Sequence, residues 1–340
     1  MTTLSTPPYF HPTTVAFVDD NLDFLSNLSL QLDTDLAYRL FDSPTAALSQ
    51  LNSVTRSRPL SERFFAALKC NSQDMPAEPV LRLDLAAIQR EVGNTQRFAE
   101  VAVVLVDYAM PEMDGIEFCR QINNPHIQKV LFTGVADESV AISAFNEGLI
   151  DRFIRKSERS IYDQINITIR ELQRAYILTT SQTINHVLSL HNPDYLDDAV
   201  FTRFFDQLLD EHQFVEYYMS IAPRGFLLLD ADGQATRLIV LSDDEFELHE
   251  RIARSHGAPQ ALLGALSERE AIPHFAATSD GFFRPQCSDW SACLHPAQVL
   301  EGRNRYYWAL APDEKTTAEN EIASYNSYLN WLDTTGYALI

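Results

Sequence analysis

Acidic side chains directly follow two apolar segments of the sequence. Asp19 and Asp20 come immediately after residues 14–18, TVAFV, a β-branched and apolar run that predicts a buried strand. Asp107 comes after residues 101–106, VAVVLV, which are all apolar, as in a central strand of a parallel sheet covered on both faces. Three carboxylates at one place repel one another, and a hard cation such as Mg²⁺, which prefers oxygen ligands, would neutralise them.

A hydroxyl and an amine follow two later strands. Thr133 ends the predicted strand KVLFT, and Lys156 ends DRFIRK. Because the sites of open parallel sheets lie at the carboxyl ends of the strands, we expect these side chains to meet the acids at one edge. A metal-neutralised Asp107 could attack a phosphoryl donor as a nucleophile. Lys156 would then offer a point charge to the phosphoryl oxygens, and Thr133 a hydroxyl donor.

Strands alternate with helices through this half of the chain. The segment LAYRLF, residues 36–41, predicts another strand, and Ser43-Pro44 is typical of a helix start. The alternation predicts an α/β fold, a doubly wound domain with a five-stranded parallel sheet.

Four motifs in this order resemble the receiver domain of two-component response regulators. They are VDD at 18–20, D-x-x-M-P-x-M-D-G from Asp107 to Gly115, FTG at 132–134, and Lys156. The resemblance implies that Asp107 is the phosphoacceptor. It also implies Mg²⁺ as cofactor, held by Asp19, Asp20, Asp107 and the backbone carbonyl of Ala109.

The same resemblance implies a switch and a partner. Thr133 and Phe153 match the switch pair, in which the aromatic ring swings inward when the hydroxyl bonds the phosphate, and Lys156 matches the phosphate-binding lysine. The donor would be the phosphohistidine of a sensor histidine kinase. Ala109 and Val135 flank the site with side chains that cannot orient water, which predicts slow self-dephosphorylation.

An insertion separates this chain from the usual family pattern. Asp107 follows Asp20 by 87 positions (107 − 20), and the extra material covers about residues 53–99. Residues 61–69 and 83–92 predict helices within it. We expect a surface insertion; capping a face, hiding a dimer surface or binding a partner are the alternatives.

The second half begins with a helical connector, residues 158–220. Isoleucines at 161, 165, 169 and 184 step at helical spacing and predict a long helix, either a dimerising coiled coil or a helix packed on its own chain. The aromatic segment 199–221 predicts a further helix.

The rest of the chain predicts an α+β domain, residues 221–340. A hairpin at 225–242, helices over 243–271 and three strands up to residue 312 resemble the antiparallel sheet of a PAS-like sensor or output domain. An amphipathic helix over 313–333 would pack on the sheet or on a partner chain. The receiver domain would then span residues 1–157.

Composition excludes some classes of function. Forty-seven acidic residues against 26 basic ones give a net charge of −21, and no Lys/Arg run occurs, so no DNA partner is expected. No signal peptide and no apolar run of membrane-spanning length are found, which predicts a cytoplasmic protein without a membrane partner.

These features predict a phosphorylation-switched response regulator. We expect phosphorylation to switch either the formation of a homodimer or the binding of a partner through the C-terminal domain. The C-terminal domain could also hold a small-molecule ligand. The alternative is a phosphorylation-gated enzyme, although the second half shows no constellation of nucleophile, base and metal ligands. An enlarged receiver with a C-terminal half that does not bind DNA resembles the Legionella-type quorum-sensing response regulators.

Overall fold

A computed structural model describes residues 6–53, 63–68, 80–134, 138–156, 161–189, 194–278, 280–287, 289–313 and 322–335. Its strands are β1 Tyr9–Phe10, β2 Thr14–Val18, β3 Tyr38–Phe41, β4 Phe65–Leu68, β5 Val80–Leu83, β6 Val101–Asp107, β7 Gln128–Thr133, β8 Arg152–Arg155, β9 Phe214–Ile221, β10 Arg224–Asp230, β11 Ala235–Leu241, β12 Ala271–Pro273, β13 Leu294–Pro296, β14 Gln298–Glu301 and β15 Arg305–Pro312. Its α-helices are α1 Leu22–Ser29, α2 Pro44–Leu51, α3 Leu85–Arg90, α4 Gly115–Arg120, α5 Glu138–Asn146, α6 Ile161–Ser189, α7 Ala199–His212, α8 Asp243–Ser255, α9 Gln260–Ser267 and α10 Tyr325–Thr334.

The chain forms two compact units, each built from separate segments. The parallel-sheet unit contains His11–Leu60, Thr95–Gln182 and Tyr325–Ile340, and the antiparallel-sheet unit contains Met1–Phe10, Ser61–Asn94 and Thr183–Ser324. This division differs from the linear boundaries 1–157, 158–220 and 221–340 predicted from the sequence. The insertion groups with the second half, and the C-terminal helix groups with the parallel sheet.

The parallel-sheet unit has the predicted five-stranded sheet, in the order β3-β2-β6-β7-β8. All four neighbouring pairs are parallel. Residues 102–106 of the central strand β6 are fully buried, which explains why that segment is apolar at every position. Each fully buried valine or leucine of this kind stabilises the fold by about 1.5–3 kcal/mol.

Capping side chains start the helices that follow the strands. Asn21 Oδ1 accepts a hydrogen bond from the backbone N–H of Phe24 at 3.0 Å and begins α1. Ser43 caps α2 with Pro44 in the first turn, as the sequence predicts. The Asn21 cap places the start of α1 directly after Asp19 and Asp20.

The long helix α6 is present as predicted, and its apolar side chains form a stripe. Ile161, Ile165 and Ile169 on this stripe are buried within the single chain. Gln173 Nε2 also donates to the carbonyl oxygen of Thr13 at 2.8 Å. This part of the helix therefore packs on its own chain, and the stripe is not free to form a coiled coil.

The C-terminal helix α10 is anchored on the parallel-sheet unit by tyrosines. Tyr325 Oη donates to the carbonyl oxygen of Asp35 at 2.8 Å and accepts from the N–H of Ala37 at 3.0 Å. Tyr328 Oη lies 2.8 Å from Thr14 Oγ1. The helix thus binds the chain where β2 and β3 begin.

The antiparallel-sheet unit is built on six strands in the order β1-β9-β10-β11-β15-β14. The helix predicted over 199–221 ends at His212, because Gln213 adopts a left-handed conformation with φ 56°. Residues 214–221 form strand β9 instead, between β1 and β10. The predicted helical connector therefore ends inside a sheet.

The PAS-like arrangement is not confirmed by this topology. The predicted hairpin is present as β10 and β11. However, the sheet contains an additional strand, β9, before this hairpin. Residues 282–284 lie in the first of the three strands predicted after the helices, and they have no regular structure. Strands β9, β10 and β11 are consecutive in the chain and are neighbours in the sheet. This strand order includes β9, which was not predicted from the sequence.

The insertion packs on the antiparallel sheet. Residues 65–68 form strand β4, paired with β5, where the sequence predicted a helix. Helix α3 matches the second predicted helix and packs against β9. Ser220 Oγ lies 3.3 Å from Gln89 Oε1, and the ring of Phe64 lies 5.2 Å from that of Tyr9. The insertion thus extends the core of this unit and is more than a surface addition.

No helix in the described ranges is long and apolar enough to cross a membrane.

Candidate functional site

Three carboxylates meet at the carboxyl edge of the parallel sheet. Asp19 follows β2, Asp20 comes next, and Asp107 ends the adjacent strand β6. One carboxylate oxygen from each lies within 4.8 Å of the other two. Asp19 and Asp107 are buried, whereas Asp20 is exposed. The predicted convergence of these acids is present in the structure.

Lys156 connects two of the acids. Its Nζ lies 2.6 Å from Asp19 Oδ2 and 2.8 Å from Asp107 Oδ1. Burial by itself would lower the pKa of Lys156, but its hydrogen bonds to Asp107 and Asp19 raise that pKa above its usual value. The Lys156 side chain is therefore protonated and positively charged at neutral pH.

The Lys156 ammonium does not fully offset the burial of Asp19. Burial raises the pKa of Asp19, and the hydrogen bonds from Lys156 and from the N–H of Asn21 lower it by less, so that the net shift is upward. Further positive charge at this edge would therefore stabilise the carboxylate form. The donor set, three carboxylates with oxygens close together, suits a hard divalent cation.

Thr133 brings an unpaired hydroxyl to the same edge. It ends β7, the neighbour of β6, and is fully buried. Its Oγ1 has no hydrogen-bond partner among the described residues. Burying a hydroxyl without a partner costs free energy, so an acceptor oxygen delivered to this site would be bound favourably.

Phe153 and Ala109 are the remaining predicted site residues that the structure describes. Phe153 lies on β8 in register with Leu131, is half-buried and packs against the apolar core. Ala109 donates its backbone N–H to Asp107 Oδ2 at 3.2 Å. The metal contact that the family resemblance implies for its carbonyl oxygen stays a prediction. Val135 lies outside the described residues.

Phe24 is a site residue that the sequence analysis did not single out. Its ring centroid lies 4.5 Å from Lys156 Nζ, and the ring packs edge-on against Phe132 with a centroid distance of 5.7 Å. An ammonium over an aromatic face is attracted by the ring quadrupole. The sequence shows only an apolar helix residue near the acid pair, which carries no signal for this contact.

Gly115 allows helix α4 to approach the central strand closely. A Cβ atom at this position would lie 2.4 Å from the carbonyl oxygen of Asp107. Asp114 caps the same helix by accepting from the N–H of Glu117 at 2.7 Å. The Asp-Gly pair of the motif therefore seats α4 directly against the end of β6.

Known proteins share both the motif and the fold of this chain. The family model of the response regulator receiver domain matches residues 79–165. A solved structure of the Legionella pneumophila response regulator LqsR is 39% identical, with a TM-score of 0.77, and the similarity covers 98% of each chain. The chain is a response regulator. The matched receiver segment of the response regulator contains Asp107, Thr133 and Lys156, while Asp19 and Asp20 precede it.

A solved structure of an adenylate cyclase from Rhodopirellula baltica is 22% identical to the response regulator, with a TM-score of 0.35. The similarity covers 51% of this chain and 95% of that one. No curated protein sequence matches the response regulator.

Proposed function

We propose that this response regulator accepts a phosphoryl group on Asp107 from the phosphohistidine of a sensor histidine kinase. The observation that carries the proposal is the contact of the Asp107 carboxylate with Lys156 at 2.8 Å, within a cluster of three acids. A carboxylate oxygen of Asp107 attacks the phosphorus, the phosphorus–nitrogen bond breaks, and the histidine nitrogen leaves with the electron pair and takes up a proton.

The acid cluster fits the Mg²⁺ ion that a receiver domain uses. Asp19, Asp20, Asp107 and the carbonyl of Ala109 would hold it. The raised pKa of the buried Asp19, which Lys156 offsets only in part, supports a further cation at this place. When bound, Mg²⁺ neutralises the negative charge that gathers as the phosphoryl group meets the carboxylates.

Thr133 and Lys156 would hold the transferred phosphoryl group. The unpaired hydroxyl of Thr133 gains an acceptor in a phosphoryl oxygen, and Lys156 supplies a positive charge to another. Movement of Thr133 toward the phosphate would open space for Phe153, which is only half-buried, to turn further inward. This movement is the proposed switch.

Dimerisation is the proposed output of the switch. Helix α5 exposes three apolar side chains, Val140, Ile142 and Phe145, the last with 45% of its surface accessible. The helix begins shortly after Thr133, so a shift at Thr133 can reach it through few residues. Ile142 and Phe145, three positions apart, share one side of the helix, and an exposed apolar pair of this kind can form part of a protein interface.

Binding of beryllofluoride tests the switch and its output together. In the presence of Mg²⁺ and this phosphoryl mimic, we expect light scattering to report a dimer for wild type and a monomer for Asp107→Asn. Phe145→Ser should bind the mimic and remain monomeric. A wild-type protein that binds the mimic without a change of mass would exclude dimerisation as the output, and failure to bind would exclude the phosphoacceptor site.

The phosphorylated protein is expected to be long-lived. The Ala109 side chain, one methyl group, cannot orient a water molecule for attack on the phosphoryl group. We expect a half-life of phospho-Asp107 of many minutes or longer, measured by loss of radiolabel after removal of the donor. Ala109→Glu should shorten it, because a carboxylate can orient and deprotonate water. A wild-type half-life of seconds would contradict this expectation.

Phe24 is expected to position Lys156 for the transfer. Phe24→Leu removes the aromatic face and keeps an apolar side chain, so phosphorylation of Asp107 by acetyl phosphate should slow about two- to fivefold. Phe24→Tyr, which keeps the face, should retain the wild-type rate. Leu25→Met on the same helix serves as a control for packing. Equal rates for the Leu and Tyr variants would remove Phe24 from the site.

A cytoplasmic location, an output that does not involve DNA, and a role in quorum sensing stay predictions. So does the alternative of a catalytic C-terminal half.

A further inference from the structure

Helix α6 carries a row of exposed side chains on the side that faces away from its buried isoleucines. Ile167, Glu171, Arg174 and Leu178 follow one another at steps of four, three and four residues, so they lie on one face of the helix. All four are exposed, Ile167 with 62% and Leu178 with 37% of its surface accessible. We call these four residues the outer face of α6, and they lie within the parallel-sheet unit.

The outer face is complementary to itself. Two exposed apolar side chains are ordinary on a protein surface, but here they stand at the two ends of the row, with an acid and a base between them. When a second copy of the face lies antiparallel to it, Ile167 meets the partner's Leu178 and Glu171 meets the partner's Arg174. In a parallel pair, Glu171 would meet the partner's Glu171, and like charges would repel. The order of the side chains therefore selects an antiparallel pair.

The antiparallel pair has twofold symmetry, so each contact occurs twice. It contains an apolar contact at each end and two ion pairs at its centre. The ends of the face are 11 positions apart (178 − 167), about 16 Å along the helix. Arg174 also has a contact within its own chain, but a guanidinium carries five N–H donors and can serve a second carboxylate.

We propose that the outer face of α6 binds the same face of a second copy of this chain in an antiparallel pair, independently of phosphorylation. None of its residues belongs to the phosphoacceptor site or to helix α5, so the inference goes beyond the proposed function. Two apolar side chains from each copy and exposed ion pairs make a weak contact, with a dissociation constant on the order of 100 µM, which is not populated at low micromolar concentration. A chain with two separate self-complementary faces can join phosphorylated dimers into tetramers.

Sedimentation equilibrium of the full-length Asp107→Asn protein tests the pairing. This parent lacks the proposed phosphoacceptor, so the result does not depend on the proposed function. Concentrations run from about a tenth to about ten times the expected dissociation constant. Glu171→Arg and Arg174→Glu, each added to the parent, should weaken self-association about tenfold because like charges then face each other. Ile167→Ser, which removes an apolar end, should weaken it by a similar factor.

Two variants match these changes away from the outer face. Glu211→Arg reverses an exposed acid on α7, and Ile221→Ser removes an isoleucine that is 55% exposed at the end of β9. Both residues lie in the antiparallel-sheet unit. Each variant should leave the dissociation constant of the parent unchanged within about twofold, because neither residue belongs to the outer face.

A mixture of the Glu171→Arg and Arg174→Glu proteins decides the outcome. Antiparallel pairing sets two arginines of one copy against two glutamates of the other, so the mixture should associate at least as tightly as the parent although neither protein does so alone. Mixing cannot repair a fold defect in either variant. A parent that stays monomeric at every concentration overturns the proposal. So does a mixture that is no tighter than the single proteins, or a control that weakens association as much as the test variants.

Discussion

Asp107→Asn is expected to abolish incorporation of a phosphoryl group from acetyl phosphate. The amide keeps the size of the side chain and its place beside Lys156, but it lacks the anionic oxygen that attacks phosphorus. Loss of a nucleophile lowers the rate of a group transfer by roughly a thousandfold or more. Intact-protein mass spectrometry after incubation with acetyl phosphate and Mg²⁺ measures the fraction that carries the added group.

Two other aspartates provide the controls for this measurement. Asp23→Asn alters an acid in the first turn of α1 that does not belong to the carboxylate cluster, and it should be phosphorylated like wild type. Asp20→Asn removes a carboxylate of the cluster while leaving Asp107 in place, and it should slow phosphorylation and weaken its dependence on Mg²⁺. Unchanged phosphorylation of the Asp107→Asn protein would place the acceptor elsewhere.

Arg237→Met is expected to lower the free energy of unfolding by about 3–5 kcal/mol. Arg237 lies on β11, in the antiparallel-sheet unit, where its Nε binds Asp313 Oδ2 at 2.6 Å and its Nη1 donates to Ser220 Oγ at 3.0 Å. Both partners of this ion pair are buried. Removal of the arginine takes away the positive charge that faces the Asp313 carboxylate in the interior. Urea unfolding followed by circular dichroism gives the change.

A double variant separates the lost contact from the unpaired charge. Arg237→Met combined with Asp313→Leu should recover most of the loss, because an apolar pair of similar volume has no charge to desolvate. Arg254→Ala breaks an exposed pair with Glu250 on helix α8 and should change stability by less than about 0.5 kcal/mol. A single variant as stable as wild type would mean that water reaches Asp313 readily.

The acid cluster and its lysine could be predicted from the sequence because each residue directly follows a strand with a strong local pattern. The apolar run 101–106 and the β-branched run 14–18 are buried on both faces, so pattern and burial coincide. Adjacent parallel strands then bring their carboxyl ends to one edge, and the spacing between Asp20 and Asp107 along the chain has no influence on that convergence.

Strand β9 could not be predicted in the same way. Residues 214–221 follow a helix without a proline or glycine between them, and their aromatic residues continue the apolar pattern of that helix. The helix ends because Gln213 takes a left-handed conformation, and the strand forms because β1 and β10 pair with it on both sides. Pairing with Tyr9–Phe10, some two hundred positions away, is a property of the folded chain alone.

The sequence by itself determined the receiver: its five-stranded parallel sheet, the acids and lysine at its edge, and the family to which the chain belongs. These features follow from local patterns that one segment carries without its neighbours. The tertiary structure decided which unit holds the insertion, which unit holds helix α10, and that Phe24 contacts Lys156. Each depends on contacts between segments distant in sequence, whose favourable burial is realised only when the whole chain is packed.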